Sequence, residues 1–390
     1  MFGVLMNLLF VIDSLGSGGA QRQIVNLARG LKNRGHYVEI FNYHPDNHYQ
    51  PILVAAEIPV HLHLKTSRFS FSPLLALRRL IRQRQFDIVL SFLDTPSFYA
   101  EVASIGLEKT KLVVSERFMY PPGKLPFKLS FLQGFHRLAD AISVNSHHQC
   151  VRMVSEYPWM SKKIKTIYNG YDLDSFSPTE SRKGLDNKLF LLAISSVSYK
   201  KNSINLAKAL VICRDTYNLD VHINWIGTKQ VSGDGLRPTQ QTNDYLKENG
   251  LSENWEWLGE RTDIPQMLAS HDALIHPSYF EGLPNVVCEA LACGRPVLAS
   301  RVCDHSILVQ ENSTGYLFNP GSPEEIAQSI FKFSQLGVSA REVMGQTARA
   351  FAVQNLSLNR YVDEYENLFK GILLNKSPHN RRSLFSRSQK

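Results

Sequence analysis

Two carboxylates stand eight residues apart in Glu281-Gly-Leu-Pro-Asn-Val-Val-Cys-Glu289, the first in a Gly/Pro turn and the second inside an apolar stretch. Pro284 suits a first helical turn and Gly294 a C-terminal stop, so the spacing predicts a short helix over 284–293. The start of such a helix attracts anions, phosphates above all, through amide groups without an intrahelical acceptor and through the macrodipole. Glu289 sits among Val286, Val287, Ala290 and Leu291. If buried it needs a partner, because an unpaired charge in an apolar setting is strongly disfavoured. A ribose diol would serve, and so would an Arg or Lys.

A chain of 390 residues with 43% hydrophobic residues is long for one core and fits two domains. Apolar runs of strand length alternate with amphipathic stretches, the pattern of βα units on a parallel sheet. Strands are expected at 8–12, 38–41, 88–92, 112–115 and 141–144, with helices at 20–33 and 74–83. A second series repeats the plan, with strands at 189–194, 221–226, 273–276 and 297–299 and helices at 203–215, 263–269 and 284–293. The polar, turn-rich segment 172–187, with Pro178 and Gly184, reads as the linker. Expected domains are therefore 1–175 and 186–355. Tyr361, Tyr365, Leu368, Phe369 and Ile372 recur at helical spacing, which predicts a closing helix over 356–374. The basic, aperiodic tail 375–390 is expected to be disordered.

The net charge of +8 is unevenly distributed: residues 1–178 hold twenty Lys and Arg against thirteen Asp and Glu. That excess suits an anionic acceptor or an anionic membrane surface as well as it suits a plain solvated surface. Nucleic acid fits less well, since no helix carries a concentrated basic stripe with interleaved aromatics. No segment argues for a membrane span or a signal peptide. The five cysteines form no CxxC pair and read as free thiols in a reducing cytosol. Localisation is accordingly expected to be cytoplasmic, with peripheral contact at the inner face of the membrane as a further expectation.

The stretch from Leu258-Gly259 through Pro277-Ser278, the paired glutamates and Gly294-Arg-Pro-Val-Leu-Ala-Ser300 closely resembles the retaining family 4 glycosyltransferases, whose signature is Glu-x7-Glu. Gly18-Gly-Ala-Gln-Arg22 resembles that family's N-terminal loop, and Tyr168-Asn-Gly-Tyr-Asp172 its interdomain segment. The resemblance implies a GT-B fold: two Rossmann-like domains facing across a cleft, the first binding the acceptor and the second the nucleotide sugar, with the last helix returning to the first domain. It implies retaining transfer of a hexose or N-acetylhexosamine, from UDP by analogy, to a glycan or lipid-linked glycan in surface-polysaccharide or lipopolysaccharide synthesis. No cofactor beyond the nucleotide-sugar co-substrate is expected.

Residue by residue, Glu281 is placed beside the transferring sugar and Glu289 on the ribose. Lys201 stands at the phosphate-binding lysine. Gly282, Leu283, Asn285 and Val286 line the donor at the helix start, and Gly18 and Gly19 lie next to the diphosphate and acceptor. Departing diphosphate and oxocarbenium-like sugar carry opposite charges, so such a site must stabilise both. The family usually reads Gly-Arg-Leu where this chain has Ser195, Ser196 and Val197, and a hydroxyl does not replace a bidentate guanidinium. Arg261 and Lys200 are the candidates to compensate, with solvated loop cations as the alternative reading of each. The family's N-domain histidine is also missing: Val113-Val-Ser-Glu-Arg117 offers Glu116 and Arg117 as candidates, with structural ion pairing as the alternative.

Other readings are weaker. Gly16-Ser-Gly-Gly-Ala20 lacks the third glycine of a dinucleotide fingerprint, position 21 being Gln, although Glu39 imitates its ribose-binding acid. Asp172-Leu-Asp174 matches the Asp-x-Asp of another glycosyltransferase fold, but its loop position favours metal-independent transfer. His61/His63 and His147/His148 lack convincing metal partners. Phe127, Phe131 and Phe135 recur every four residues beside Lys124 and Lys128, which suits core packing or docking on the inner leaflet. A GT-B nucleotide-sugar epimerase and a non-catalytic nucleotide-sugar-binding protein remain as competing functions.

Overall fold

The computed structural model describes residues 4–67, 70–117, 126–178, 188–228 and 236–374. The chain divides into two units, Met1–Gly170 with Leu358–Lys390, and Tyr171–Ser357. The expected basic tail, Lys124 and linker residues 179–187 lie outside the described residues.

The first unit is built on a seven-stranded, wholly parallel sheet. Its strands are β1 (Asn7–Val11), β2 (Tyr37–Asn42), β3 (Val60–Leu62), β4 (Ile88–Phe92), β5 (Lys111–Glu116), β6 (Ala141–Val144) and β7 (Ile164–Thr166), in the order β3-β2-β1-β4-β5-β6-β7. Alternation along β1 feeds two cores. Leu8, Phe10 and Ile12 pack with the helix Gly19–Asn33, and Leu9 and Val11 pack with Leu77, Ile81 and Tyr99 on the other face.

The last helix, Leu358–Leu374, belongs to this unit. It buries Tyr361, Val362, Tyr365 and Phe369, each contributing roughly 1.5–3 kcal/mol relative to exposure. It also approaches closely: a Cβ on Gly30 would lie 2.4 Å from Val362 Cγ2, and one on Gly170 2.6 Å from Tyr361 Cβ. Arg34 adds ion pairs to Asp363 (2.7 Å) and Glu366 (2.6 Å).

The second unit repeats the design with six parallel strands: β8 (Lys188–Ile194), β9 (Asp220–Ile226), β10 (Trp255–Gly259), β11 (Ala273–His276), β12 (Val297–Ser300) and β13 (Gly315–Phe318), ordered β10-β9-β8-β11-β12-β13. Four strands escape the sequence reading: β3, β7, β10 and β13. All are sheet edges: β3, β7 and β10 are largely half-exposed and β13, though mostly buried, is only four residues long, so none carries the long continuous apolar run that marks a central strand.

The unit boundary also differs from the expected residue 175. It falls at Gly170 because Tyr171 already pairs inside the second unit, its N–H donating to Leu356 O at 2.9 Å beside a bridge to Ser357.

Candidate active site

The strand order of the second unit reverses between β8 and β11, and in open parallel sheets ligands bind beyond the carboxyl ends of the strands at such a point. The loop after β8 ends in a one-turn helix, Tyr199–Lys201, and Asn202 takes a left-handed conformation (φ 60°) before the helix Ser203–Tyr217. Asn202 Nδ2 donates to Pro277 O (3.0 Å) and Pro320 O (2.7 Å), tying this loop to those after β11 and β13. Tyr279 N–H donates to Lys200 O at 2.8 Å. So braced, Lys201 Nζ meets Glu281 Oε1 across the switch point.

Glu281 Oε1 also accepts from His276 Nε2 at 3.1 Å, and the Glu281 N–H points at Cys303 Sγ, 3.5 Å away. Behind them Ser300 Oγ donates to Ser278 O (2.6 Å) and His305 Nδ1–H to Ser300 O (2.7 Å). Burial alone would raise the Glu281 carboxyl, but His276 and Lys201 outweigh it and hold the group well below the usual carboxylate range. Burial lowers His276, and burial with the facing His276 ring takes His305 down to about 3. Glu281 is thus a fixed anion with a neutral imidazole donor on one side and a lysine on the other.

The helix predicted over 284–293 spans Asn285–Ala292, with Pro284 as its N-cap. Its far end is fixed by Arg349, which donates to Ala292 O, Phe176 O and Leu173 O. Gly294 turns the chain at φ 66°, and Gly345 packs so near that a Cβ there would lie 2.4 Å from Gly294 O. Tyr171 OH donates to Asn285 Oδ1 at 2.6 Å. The helix therefore presents its positive end immediately after Glu281 in the chain.

In the first unit the strand order reverses between β1 and β4. A cavity of about 450 Å³ opens there, lined by Asp13, Tyr43, His44, Lys65 and residues 93–96.

Known proteins resemble the chain in both halves. The family profile "Glycosyltransferase Family 4" matches residues 17–175 and "Glycosyl transferases group 1" matches residues 188–335. The structure of Anabaena Alr3699/HepE in complex with UDP superposes with a TM-score of 0.79 at 20% identity, covering 94% of this chain and 100% of that one. The chain has the two-domain GT-B glycosyltransferase fold. Among relatives, the GT-B chain is 27% identical over 337 residues to the Campylobacter jejuni GalNAc-alpha-(1->4)-GalNAc-alpha-(1->3)-diNAcBac-PP-undecaprenol alpha-1,4-N-acetyl-D-galactosaminyltransferase, covering 83% of this chain and 87% of that protein. It is 24% identical over 222 residues to the Escherichia coli UDP-Gal:alpha-D-GlcNAc-diphosphoundecaprenol alpha-1,3-galactosyltransferase, covering 55% of this chain and 56% of that protein.

Within the group 1 domain, Glu281 and Lys201 are brought into contact. Gly282, Asn285 and Val286 are half-buried, and Leu283 and Glu289 are buried. Burial and the Glu289 charge push the Cys293 thiol up to about 12, which makes it unreactive. Ser196 is exposed two residues beyond β8. Arg261 is exposed, with its guanidinium held by Asp263, Nε to Oδ1 at 2.8 Å. Lys200 lies 5.6 Å over the Phe280 ring. His276, His305 and Ser198 escaped the sequence reading, and Ser198 Oγ is buried without a hydrogen-bond partner among the described residues. His276 closes β11 immediately before Pro277-Ser278, a position that could have marked it.

Within the family 4 domain, Gly18 and Gly19 are exposed at the start of the helix Gly19–Asn33, with Gly18 at an ordinary φ of −69°. Glu39 pairs with His61 at 2.7 Å. Asp172 closes its own turn, accepting from Asp174 N–H (3.1 Å) and Ser175 Oγ (2.9 Å).

Glu116 and Arg117 are corrected to structural roles. Arg117 donates from Nε to Ser115 Oγ (2.9 Å) and from its terminal nitrogens to Asn169 Oδ1 (2.6 Å), Tyr361 OH (3.1 Å) and Tyr365 OH (2.7 Å). Glu116 accepts from His136 Nε2 (3.1 Å), whose Nδ1 lies 2.7 Å from Glu101 Oε1, all three being buried.

Burial opposes charge on His136, but Glu101 and Glu116 together raise it to about 10; burial also raises Glu101. A histidine raised on folding stabilises fully below its unfolded value near 6.5, and the gain fades as pH climbs towards 10. Scanning calorimetry at pH 7 and pH 9.5 is therefore expected to show a larger fall in Tm for the wild type than for His136→Gln. Equal slopes would refute the assignment.

Proposed function

We propose that the chain transfers a hexose or N-acetylhexosamine from a UDP-sugar to a glycan on a lipid diphosphate carrier, with retention and without a metal ion, in surface-glycan synthesis. The observation that carries this reading is the Lys201–Glu281 contact at the β8/β11 switch point, beside the start of the Asn285–Ala292 helix. The activities of the two relatives, both on undecaprenol-diphosphate glycans, support the acceptor class, and one of them takes UDP-Gal as its donor.

On donor binding, Lys201 exchanges Glu281 for the diphosphate, and the helix amides share that charge as the anomeric C–O bond breaks. Glu281, kept anionic and oriented by His276, faces the positive charge that grows on the sugar ring. Glu289 grips the ribose. The acceptor hydroxyl attacks on the face the diphosphate leaves, and its proton passes to the departing phosphate oxygen. The first unit holds the acceptor, with Gly18 and Gly19 as its candidate contacts to that ligand.

Ligand-detected NMR with a panel of nucleotide sugars tests the donor. A UDP-sugar is expected to bind, and Lys201→Ala to weaken it by about 10–100-fold; failure of every nucleotide sugar to bind would sink the proposal. Incubation with donor alone separates an epimerase, which would form product without acceptor. Because Lys201 and the helix amides take the diphosphate charge, stripping divalent cations with a chelator is expected to leave the transfer rate unchanged. A large loss would overturn metal independence.

A further inference from the structure

The cavity at the β1/β4 switch point of the first unit takes no part in the steps assigned to Lys201 and Glu281. It lies over the carboxyl ends of four neighbouring strands: Asp13 stands in the loop after β1, Tyr43 after β2, Lys65 after β3 and Leu93 after β4. Loops that converge in this way build ligand sites in open parallel sheets, and about 450 Å³ holds a monosaccharide.

The lining combines three chemistries. Asp13 Oδ1 accepts from Gln21 Nε2 (2.9 Å) and from the Ser14 N–H (2.7 Å), which fixes the carboxylate. The N–H groups of Tyr43 and His44 both donate to Asp13 O, at 3.1 and 2.9 Å, and so join the loops after β1 and β2. Lys65 is tied to the same corner, its N–H donating to Tyr43 O (3.0 Å) and its Nζ lying 5.9 Å and 5.5 Å from the ring centroids of Tyr43 and Tyr99. Leu93 and Pro96 add apolar surface at the start of the helix Asp94–Ala103, where the first amides lack intrahelical acceptors.

Leu93 is the outlier of the group. Its φ of 75° with ψ of 158° falls in a region where glycine is at ease and other residues are strained. The turn is held by the Leu93 N–H donating to Ser115 O (3.2 Å) and by Leu93 O accepting from the Ser97 N–H (3.0 Å). A glycine would make both bonds without strain. What the leucine adds is hydrocarbon, packed on the core below and half-buried at the cavity.

Asp13 and Asp94 disfavour a phosphate or carboxylate here, and the Lys65 ammonium disfavours a cation. The lining suits a neutral group that offers a donor to a carboxylate, an acceptor to an ammonium or to helix amides, and a methyl to an apolar wall. An acetamido group carries all three on adjoining atoms. We infer that this cavity receives the acceptor's terminal sugar and selects it as an N-acetylhexosamine, its amide N–H donating to Asp13, its carbonyl accepting from Lys65 and its methyl lying against Leu93 and Pro96. The inference rests on the proposed function and names the acceptor sugar class.

Saturation-transfer NMR on the full chain, without nucleotide sugar, reads the site without turnover. The probes are the methyl α-glycosides of N-acetylglucosamine and N-acetylgalactosamine against those of glucose and galactose. The acetamido methyl is expected to receive saturation, and the plain glycosides to bind about 10-fold more weakly. Lys65→Met and Leu93→Gly should each erase most of that difference, with Tm measured alongside to show that both variants are folded. With a nucleotide sugar added, kcat/KM should favour acetamido acceptors by about 100-fold in the wild type and by about 10-fold or less in either variant. A merely structural role would slow both acceptors together and leave the ratio unchanged.

Equal binding of acetamido and plain glycosides, no binding of either, or folded variants that keep the wild-type ratio would each overturn the inference. So would a preference for a hexosamine with a free amine or for a phosphorylated sugar. Selective acetamido binding without transfer to any acceptor would count against the proposed function and leave this site standing.

Discussion

Replacing Glu281 with Ala is expected to lower kcat for glycosyl transfer by about 10²–10³, while the affinity for UDP changes only a few-fold. The carboxylate is the group that meets positive charge as the sugar leaves, so its effect belongs to the transition state and not to nucleotide binding. Glu281→Gln keeps an acceptor for His276 Nε2 and removes the charge; if charge is what matters, it should be almost as slow as Ala.

Isothermal calorimetry with UDP and initial rates at saturating donor separate the two effects. Near-normal kcat in both variants would show that Glu281 does nothing beyond holding Lys201. There is a stability signature as well. A carboxyl held below its usual range stabilises above its unfolded value, and that gain disappears as pH falls through the folded value. The Ala variant should therefore lose less stability on acidification than the wild type.

The second large effect is structural. Arg117→Leu removes the donor shared by Ser115, Asn169, Tyr361 and Tyr365 and the cation stacked 4.1 Å over the Phe92 ring. Losing four charge-assisted hydrogen bonds and a buried cation–ring contact at once is expected to cost about 3–5 kcal/mol. Hydrogen exchange should accelerate in 358–374 and in β5, whereas the second unit keeps its protection. Arg117→Lys should rescue little, because an ammonium cannot reproduce the planar fork. A Leu variant with wild-type Tm and unchanged exchange would show that packing of Tyr361, Val362, Tyr365 and Phe369 suffices by itself.

Central strands and six of the helices were legible because their side chains repeat with the period of the element that buries them, whereas helices such as Pro323–Ser334 and Val338–Asn355 were not singled out. Leu8 to Val11 and Ile88 to Phe92 read as buried strands and are so. The helix from Asn285 was marked by Pro284 and Gly294, residues whose backbone preferences act locally. Edge strands were not legible, since Val60-His-Leu62 is half-solvated and carries no pattern.

The same division applies to the site. Lys201 and Glu281 could be singled out through a motif, but their contact depends on Asn202 reaching two carbonyls in distant loops. The Glu101–His136–Glu116 cluster joins residues separated by 35 and 20 positions without any spacing rule. Arg117 stayed open between a site contact and a structural role because sequence alone does not reveal that Tyr361 and Tyr365 meet it.

The return of residues 358–374 to the first unit bears on the order in which the protein is made. Tyr171–Ser357 is an unbroken segment and can complete its sheet before residues 358–374 are made, whereas the unit begun before it lacks Tyr361, Tyr365 and Phe369 until those residues emerge. The unit begun first is thus completed second, and a nascent chain stalled before residue 358 would expose the apolar surface of the Gly19–Asn33 helix to chaperones.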